Sequence, residues 1–397
     1  MADNKDKKVL NVPALRFPEF IKSWECSILE KLSKKIGDGI HSTPSYDDNG
    51  TFYFINGNNL NGGKIVITSS TKRVSEKEAY KNNAENLEAN SILMSINGTI
   101  GNVALYHNEP IMLGKSACYI NSKDNIDKNY LFYYLQYPKT QLYFEAELTG
   151  TTIKNLSLQS IRKTKIYIPT IEEQHKISRF LQKIDERIST QNKIIEDLKK
   201  LKSAIIEKEY THKTKSNSHI GDFIEQTSKR NKNRAIQNVL SVSNRQGFIQ
   251  QSEQFENRSV ASDDTSSYKI VKKNNFAFNP ARINVGSIAR LTTFDRGIVS
   301  PMYICFRTKD TLFPEYLDYY FETKQFFTEI QKRLEGSVRQ CLSFEGLCNI
   351  PLCIPTIEVQ QQVGKQLSTL VQEIKLEIDF LELLQRQKKF LLHQMFI

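Results

Sequence analysis

Gly114-Lys115-Ser116 has the residue types of a phosphate-gripping turn: a lysine for charge, a hydroxyl, and a glycine that lets backbone N–H groups face an anion. That nest also needs a glycine five residues before Gly114, where the chain has Glu109. A structural loop is the better reading. Asn97-Gly98-Thr99-Ile100-Gly101 has one glycine too few for a dinucleotide fingerprint. Asn279-Pro280 opens like the Asn-Pro-Pro-aromatic motif of amino-methyltransferases, but Ala281-Arg282 follows, so the second proline and the base-stacking aromatic are both missing. Cys26, Cys118, Cys305, Cys341, Cys348 and Cys353 contain no Cys-x-x-Cys, and His41, His107, His175, His212, His219 and His393 are scattered. They read as ordinary reduced residues, with neither a metal site nor a disulfide framework. No Asp-Gly-x-Gly, acidic metal cluster or nucleophile elbow stands out. No catalytic residue is assigned, and the chain is expected to bind, not to react.

The elements that would position a binding surface are duplicated. Ile168-Pro169-Thr170-Ile171-Glu172 matches Ile354-Pro355-Thr356-Ile357-Glu358 at an offset of 186, and Gln174 matches Gln360. Tyr130, Leu131, Tyr133, Tyr134 and Gly150 match Tyr316, Leu317, Tyr319, Tyr320 and Gly336 in the same register. Gly101 to Ala104 resembles Gly286 to Ala289, and Ser116 to Ile120 resembles Ser300 to Ile304, at slightly different offsets that imply short insertions.

Each repeat ends in a helix with a coiled-coil seam. Apolar residues recur at Ile177, Leu181, Ile184, Ile188, Ile195, Leu198 and Ile205, and again at Val363, Leu367, Leu370, Ile374, Leu381, Leu384 and Leu391. The polar interruptions Gln191 and Lys202 have counterparts in Glu377 and Lys388. Each helix follows an Ile-Pro, which predicts strand then helix, over roughly 35 residues and about 52 Å. The tyrosine pairs at helical spacing are read as core. With the order domain, helix, domain, helix, seams that pack on each other must pack antiparallel, which predicts a rod with a domain at each end and the C-terminus back at the first repeat.

Composition fits two ordinary cores: 397 residues, 39% hydrophobic. Fifty-five Lys and Arg against 44 Asp and Glu give a formal charge of +11, which favours a polyanionic partner. No apolar run reaches membrane-spanning length, and the opening residues lack the apolar core of a signal peptide, so a soluble, cytoplasmic protein without membrane partners is expected. The predicted class is α+β, two pseudo-symmetric globular domains joined by two long antiparallel coiled-coil helices. The divisions are a mobile arm at 1–14, a first domain at 15–168, a central helix at 169–210, a linker at 211–219, a second domain at 220–354 and a C-terminal helix at 355–397.

Across nearly its whole length the chain resembles the specificity subunit of type I restriction-modification enzymes. The residues that carry the resemblance are Leu15 to Phe20 with Trp24, Gly37-Asp38-Gly39-Ile40-His41 with Thr43-Pro44, and Gly150-Thr151-Thr152 ahead of Ile168-Pro169 and Glu173-Gln174. In the second repeat they are Asn279-Pro280 with Asn284 to Ser287, and Ser300-Pro301 with Tyr303. The resemblance implies two target recognition domains, each reading half of a bipartite, asymmetric sequence in double-stranded DNA. It also implies a helical platform for two modification (methyltransferase) subunits and two restriction (motor-nuclease) subunits. S-adenosylmethionine, ATP and magnesium then belong to those partners, and this chain carries no cofactor of its own. Val359 stands where the first repeat has Glu173, so partner contacts are expected to differ between the two ends.

Reading bases needs Arg or Lys for guanine and Asn or Gln for adenine, on loops that enter a groove. The candidates are His41, Ser42, Thr43, Lys115, Thr151, Thr152 and Lys154 in the first domain, and Asn244, Arg245, Arg282, Asn284, Arg339 and Gln340 in the second. For the coiled coil and subunit docking they are Glu173, Gln174, Ile177, Leu181, Ile184, Ile188, Gln360, Val363, Leu367, Leu370 and Ile374. Two rival readings predict different outcomes. A structural scaffold gripping proteins would bind no DNA, and the reader of another restriction type would have different catalytic partners.

Overall fold

The computed structural model describes residues 11–82, 84–150, 154–211, 218–244, 246–251, 264–336 and 340–397. The chain divides into two compact units, one formed by Met1–Asn192 with Phe380–Ile397 and the other by Lys193–Asp379. The unit boundaries fall inside the long helices, not at the domain–helix junctions expected from sequence. Residues 1–10 of the expected N-terminal arm lie outside the described residues. Asn11 is tied down, its N–H donating to the Ser23 hydroxyl and its carbonyl accepting from the Trp24 N–H.

The first unit is built on an antiparallel sheet ordered Ser33–Asp38, Ala117–Ser122, Ser91–Ser95, Val103–Leu105. Every residue of the two central strands is buried, so alternation sorts side chains between two cores rather than between core and water. Cys118, Ile120, Ile92 and Met94 face a helical layer. Ala117, Tyr119 and Leu93 face a small second sheet, in which Phe52–Ile55 pairs parallel with Ile111–Leu113. The second unit repeats this plan, with a sheet ordered Ile224–Thr227, Ile304–Thr308, Phe276–Phe278, Ile288–Arg290. Its other sheet contains the corresponding parallel pair, Val239–Ser243 with Arg296–Val299. Phe276, Phe278 and Phe306 face the helices while Ala277 and Cys305 face the second sheet. Phe276 and Phe306 stack at 5.1 Å, worth about 1 kcal/mol beyond area burial. Burial pushes the thiols of Cys118 and Cys305 up to about 12, where they stay protonated and inert.

The first tyrosine pair lies on the helix Lys128–Leu135, and Pro138 starts a separate helix, Pro138–Ala146, at its first turn. Tyr130, Tyr134, Tyr316 and Tyr320 are all buried, as their spacing predicted. The long helices run Ile171–Thr211, 41 residues, and Ile357–Met395, 39 residues, which is longer than expected. Their last turns continue so that an aromatic at each end can reach a tyrosine helix. Tyr210 stacks on Tyr316 at 4.6 Å in the second unit, and Phe396 packs on Tyr130, Tyr134 and Tyr137 at 5.3–5.9 Å in the first.

In each unit the start of one long helix therefore meets the end of the other, in the antiparallel sense: Ile177, Leu181 and Ile184 with Leu391 and Leu392, and Val363 and Leu367 with Ile206 and Tyr210. The seam shifts by one residue near the end of the first helix, where Ile206 is buried and Ile205 only half-buried. A strand, Lys165–Ile168, precedes the first helix as expected. Among the described residues none precedes the second, where a bridge joins Pro351 to His219 and the Leu352 N–H donates to the Ser218 carbonyl. Among the described residues no helix is long and apolar enough to cross a membrane.

Candidate nucleic-acid interface

In the first unit the backbone gathers loops that are far apart in sequence. Ile40 bridges to Gly114, which sets His41, Ser42 and Thr43 beside the turn carrying Lys115, and all four are exposed. Asn97 bridges to Asn155, and its amide donates to the Lys115 carbonyl at 3.4 Å, so exposed Lys154 joins the same cluster. The Ser116 hydroxyl donates to the Asn56 side chain at 2.9 Å and accepts from the Gly57 N–H at 2.8 Å. That hydroxyl is spent on loop architecture, the role expected for Gly114-Lys115-Ser116. His41 is held 2.8 Å from the Asp38 carboxylate, so an imidazole read as a base contact is engaged by its own loop.

The second unit assembles the equivalent loops. Leu342 N–H donates to the Pro280 carbonyl as Leu156 N–H donates to Ile96, and Glu335 bridges Cys341 as Thr149 bridges Asn155. A Cβ added at Gly286 would lie 3.7 Å from the Asn244 Cβ, so the two loops approach closely there. Asn244, Arg282, Asn284 and Gln340 are brought to one cluster, all exposed except half-buried Asn284. Gly101 and Gly286 turn corresponding loops at φ of 77° and 89°, the left-handed region that only glycine enters without strain. Thr151, Thr152, Arg245 and Arg339 lie outside the described residues.

The helix roots show what the repeated Ile-Pro-x-x-x-x-Gln does. Gln174 donates to the Pro169 carbonyl and accepts from the Asp127 N–H, at 3.0 and 3.1 Å. Gln360 donates to Pro355 and Thr311 and accepts from the Phe313 N–H, at 2.9, 3.1 and 2.8 Å. Each glutamine thus ties its helix start to the N-terminus of a tyrosine helix. Around this tie the side chains vary together: Ser178 donates to the Asp127 carboxylate in the first unit, and Gly364 leaves room for the Phe313 ring in the second.

Glu173 and Gln174, grouped above with the docking surface, are corrected to internal residues, 1% and 2% exposed. The Glu173 carboxylate receives two 2.7 Å hydrogen bonds from Arg16 and a longer one from the Trp24 indole. Gln360 is internal likewise. Ile177, Leu181, Ile184, Val363, Leu367, Leu370 and Ile374 are buried and Ile188 is half-buried, so these side chains serve the chain's own packing and offer no docking surface. The two helix starts differ inside the protein: Glu173 holds Arg16, whereas Val359 is 40% exposed.

Residues 22–200 match the family described as the type I restriction modification DNA specificity domain. Over those residues the chain is similar to a type I restriction-modification specificity domain. It is similar to the type I restriction enzyme MjaVIII specificity subunit of Methanocaldococcus jannaschii, 28% identical over 165 residues, which is 40% of this chain and 37% of that protein. The chain spans about half or less of the length of the curated relatives it matches. A crystal structure of the type I restriction-modification S subunit from M. genitalium aligns with a TM-score of 0.59 at 17% identity, covering 97% of this chain and 99% of that one. A chain from a structure of type I complex assembly and conformational transition aligns at 0.54 and 13% identity, covering 94% and 97%. The chain shares their fold over nearly its full length.

Proposed function

We propose that this chain is the DNA-reading subunit of a type I restriction-modification system, recognising a bipartite, asymmetric target in cytoplasmic DNA and itself performing no chemistry. The observation that carries the reading is the duplicated loop cluster, in which Lys115 and Lys154 in one unit and Arg282, Asn284 and Gln340 in the other are presented by equivalent loops on equivalent sheets. These are the side-chain types that reach base edges and phosphates. The loops differ in sequence between the repeats, so the two half-sites should differ. Two modification subunits and two restriction subunits would supply the chemistry, bringing S-adenosylmethionine, ATP and magnesium with them. The purified chain alone is expected to transfer no methyl group, and methylation should appear when a modification subunit is added.

The deciding experiment maps methylated bases in a genome expressing the chain with its modification partner. Arg282→Ala with Asn284→Ala should relax one half-site and leave the other intact, each lost base contact being worth about 1–3 kcal/mol. Unchanged methylation at every site in the variant would remove these two residues from the reading surface. Methylation with no bipartite pattern in the unaltered protein would overturn the proposed function.

A further inference from the structure

Outside the loop cluster, the first unit holds a second concentration of cations that the sequence did not flag, because its members are spread over 28 positions. Lys72 and Arg73 are both exposed, next to each other at the start of the strand Arg73–Val74. Each is held over an aromatic face: the Lys72 ammonium lies 4.2 Å from the centroid of the Tyr46 ring, and the Arg73 guanidinium 4.9 Å from that of Tyr53. Arg73 also donates to the Tyr53 hydroxyl at 3.2 Å.

Tyr46 is itself braced edge-on by Phe54 and remains 42% exposed. The backbone fixes the arrangement, since Tyr53 pairs with Arg73, Phe54 N–H donates to the Lys72 carbonyl, and Tyr46 bridges to Val74. Among the described residues neither cation has a carboxylate within ion-pair distance, although Asp47 and Asp48 are on the adjoining loop. Asp47 instead accepts the Asn49 N–H at 3.0 Å.

Exposed cations normally sample many rotamers, and ordering two long side chains costs entropy. Here the rings hold both in place before any ligand arrives, as a preformed anion-binding pair would require. The pair is also continuous with the candidate interface, because Tyr46 follows His41-Ser42-Thr43 by three residues and Tyr53 lies on the strand Phe52–Ile55 that leads to Asn56-Gly57. A ligand that spans both places and carries closely spaced anions is a nucleic-acid backbone.

We propose that Lys72 and Arg73, positioned by Tyr46 and Tyr53, form a DNA-backbone site that grips phosphates beside the base-reading loops of the first unit. The inference rests on the proposed DNA reading and adds a contact blind to sequence. Among the described residues of the second unit, the strand in the same place is Gly247–Gln250, paired antiparallel with Val239–Ser243, and it carries no cation.

The test measures affinity of the full chain for a fluorescein-labelled duplex of mixed sequence by anisotropy, between about 50 and 200 mM salt. Two lost phosphate contacts should lower the slope of log affinity against log salt by about 1.8 in Lys72→Gln with Arg73→Gln. The fourfold rise in salt should then cost the variant about 12-fold less affinity than it costs the unaltered chain. Lys72→Arg with Arg73→Lys should keep the slope, and Tyr46→Leu with Tyr53→Leu should weaken binding with both charges still present. The single variants Lys72→Gln and Arg73→Gln, each expected to show half the effect, carry the test if the double variant fails to fold. An unchanged slope in the glutamine variants, with the unaltered chain binding duplex normally, overturns this site alone. Failure of the unaltered chain to bind duplex at all overturns it together with the DNA-reading function.

Discussion

Glu173 shows how much of this protein's chemistry is spent on holding itself together. Its carboxylate is 1% exposed, and two Arg16 hydrogen bonds and the Trp24 indole take the place of the water it has lost. Glu173→Ala leaves Arg16, itself only 12% exposed, without its counter-charge. The expected loss is about 3–5 kcal/mol, read by urea denaturation, and Arg16→Met with Glu173→Leu should recover most of it. A loss below about 1 kcal/mol would mean that water screens the pair.

This pairing was not legible in the sequence, because the partners are 157 positions apart and only the fold makes them neighbours. The glutamine ties were half legible. The repeat marked Gln174 and Gln360, but backbone groups are their partners, and those leave no trace in residue types. The same limit applies to Tyr46, Tyr53, Lys72 and Arg73, which become a patch only through strand pairing.

Among the elements, the long helices were the most legible, since heptad spacing is a property of the chain itself. The polar interruptions were visible too, and the structure supplies their reason. Lys202 lies 5.5 Å from the Tyr319 ring and pairs with Glu322, while Lys388 lies 5.6 Å from the Tyr133 ring, beside Gln136, and pairs with Asp185. Tyr319 and Glu322 correspond to Tyr133 and Gln136 at the repeat offset, so these two lysines are attachment points, and Asp185 is an addition of the first unit. Tyr210 tests the same junction. Tyr210→Phe removes its 2.6 Å hydrogen bond to the Tyr316 carbonyl and should cost about 1 kcal/mol, and Tyr210→Ala about 3–5 kcal/mol, both by urea denaturation.

The first helix is uninterrupted from Ile171 to Thr211, so added residues lengthen it by about 1.5 Å each. Four residues inserted after Gln191 add about 6 Å, under two base pairs at about 3.4 Å. The DNA target should keep both half-sites and lengthen its spacer by one or two base pairs. Mapping methylated bases in cells carrying the insertion checks this, and altered half-sites or a fixed spacer in an active enzyme would show that the helix is no ruler.

On the scale of the whole molecule, the second unit is one continuous stretch, Lys193–Asp379, whereas the first is completed by Phe380–Ile397. A chain ending at Asp379 should therefore lack the Phe396 ring that covers Tyr130, Tyr134 and Tyr137, and should bind an apolar dye that the full chain does not. Equal dye binding by both would show that the aromatic cluster closes by other means. This division also sets an order in time. When the first unit's opening residues have left a ribosome, 187 residues of the other unit still separate them from the segment that closes their core. At about 5–20 residues per second that interval is roughly 10–40 s. For all of it a newly made chain carries an unfinished aromatic cluster while its second unit, one unbroken stretch, is still being made, and it is during this window that chaperones and proteases would meet it.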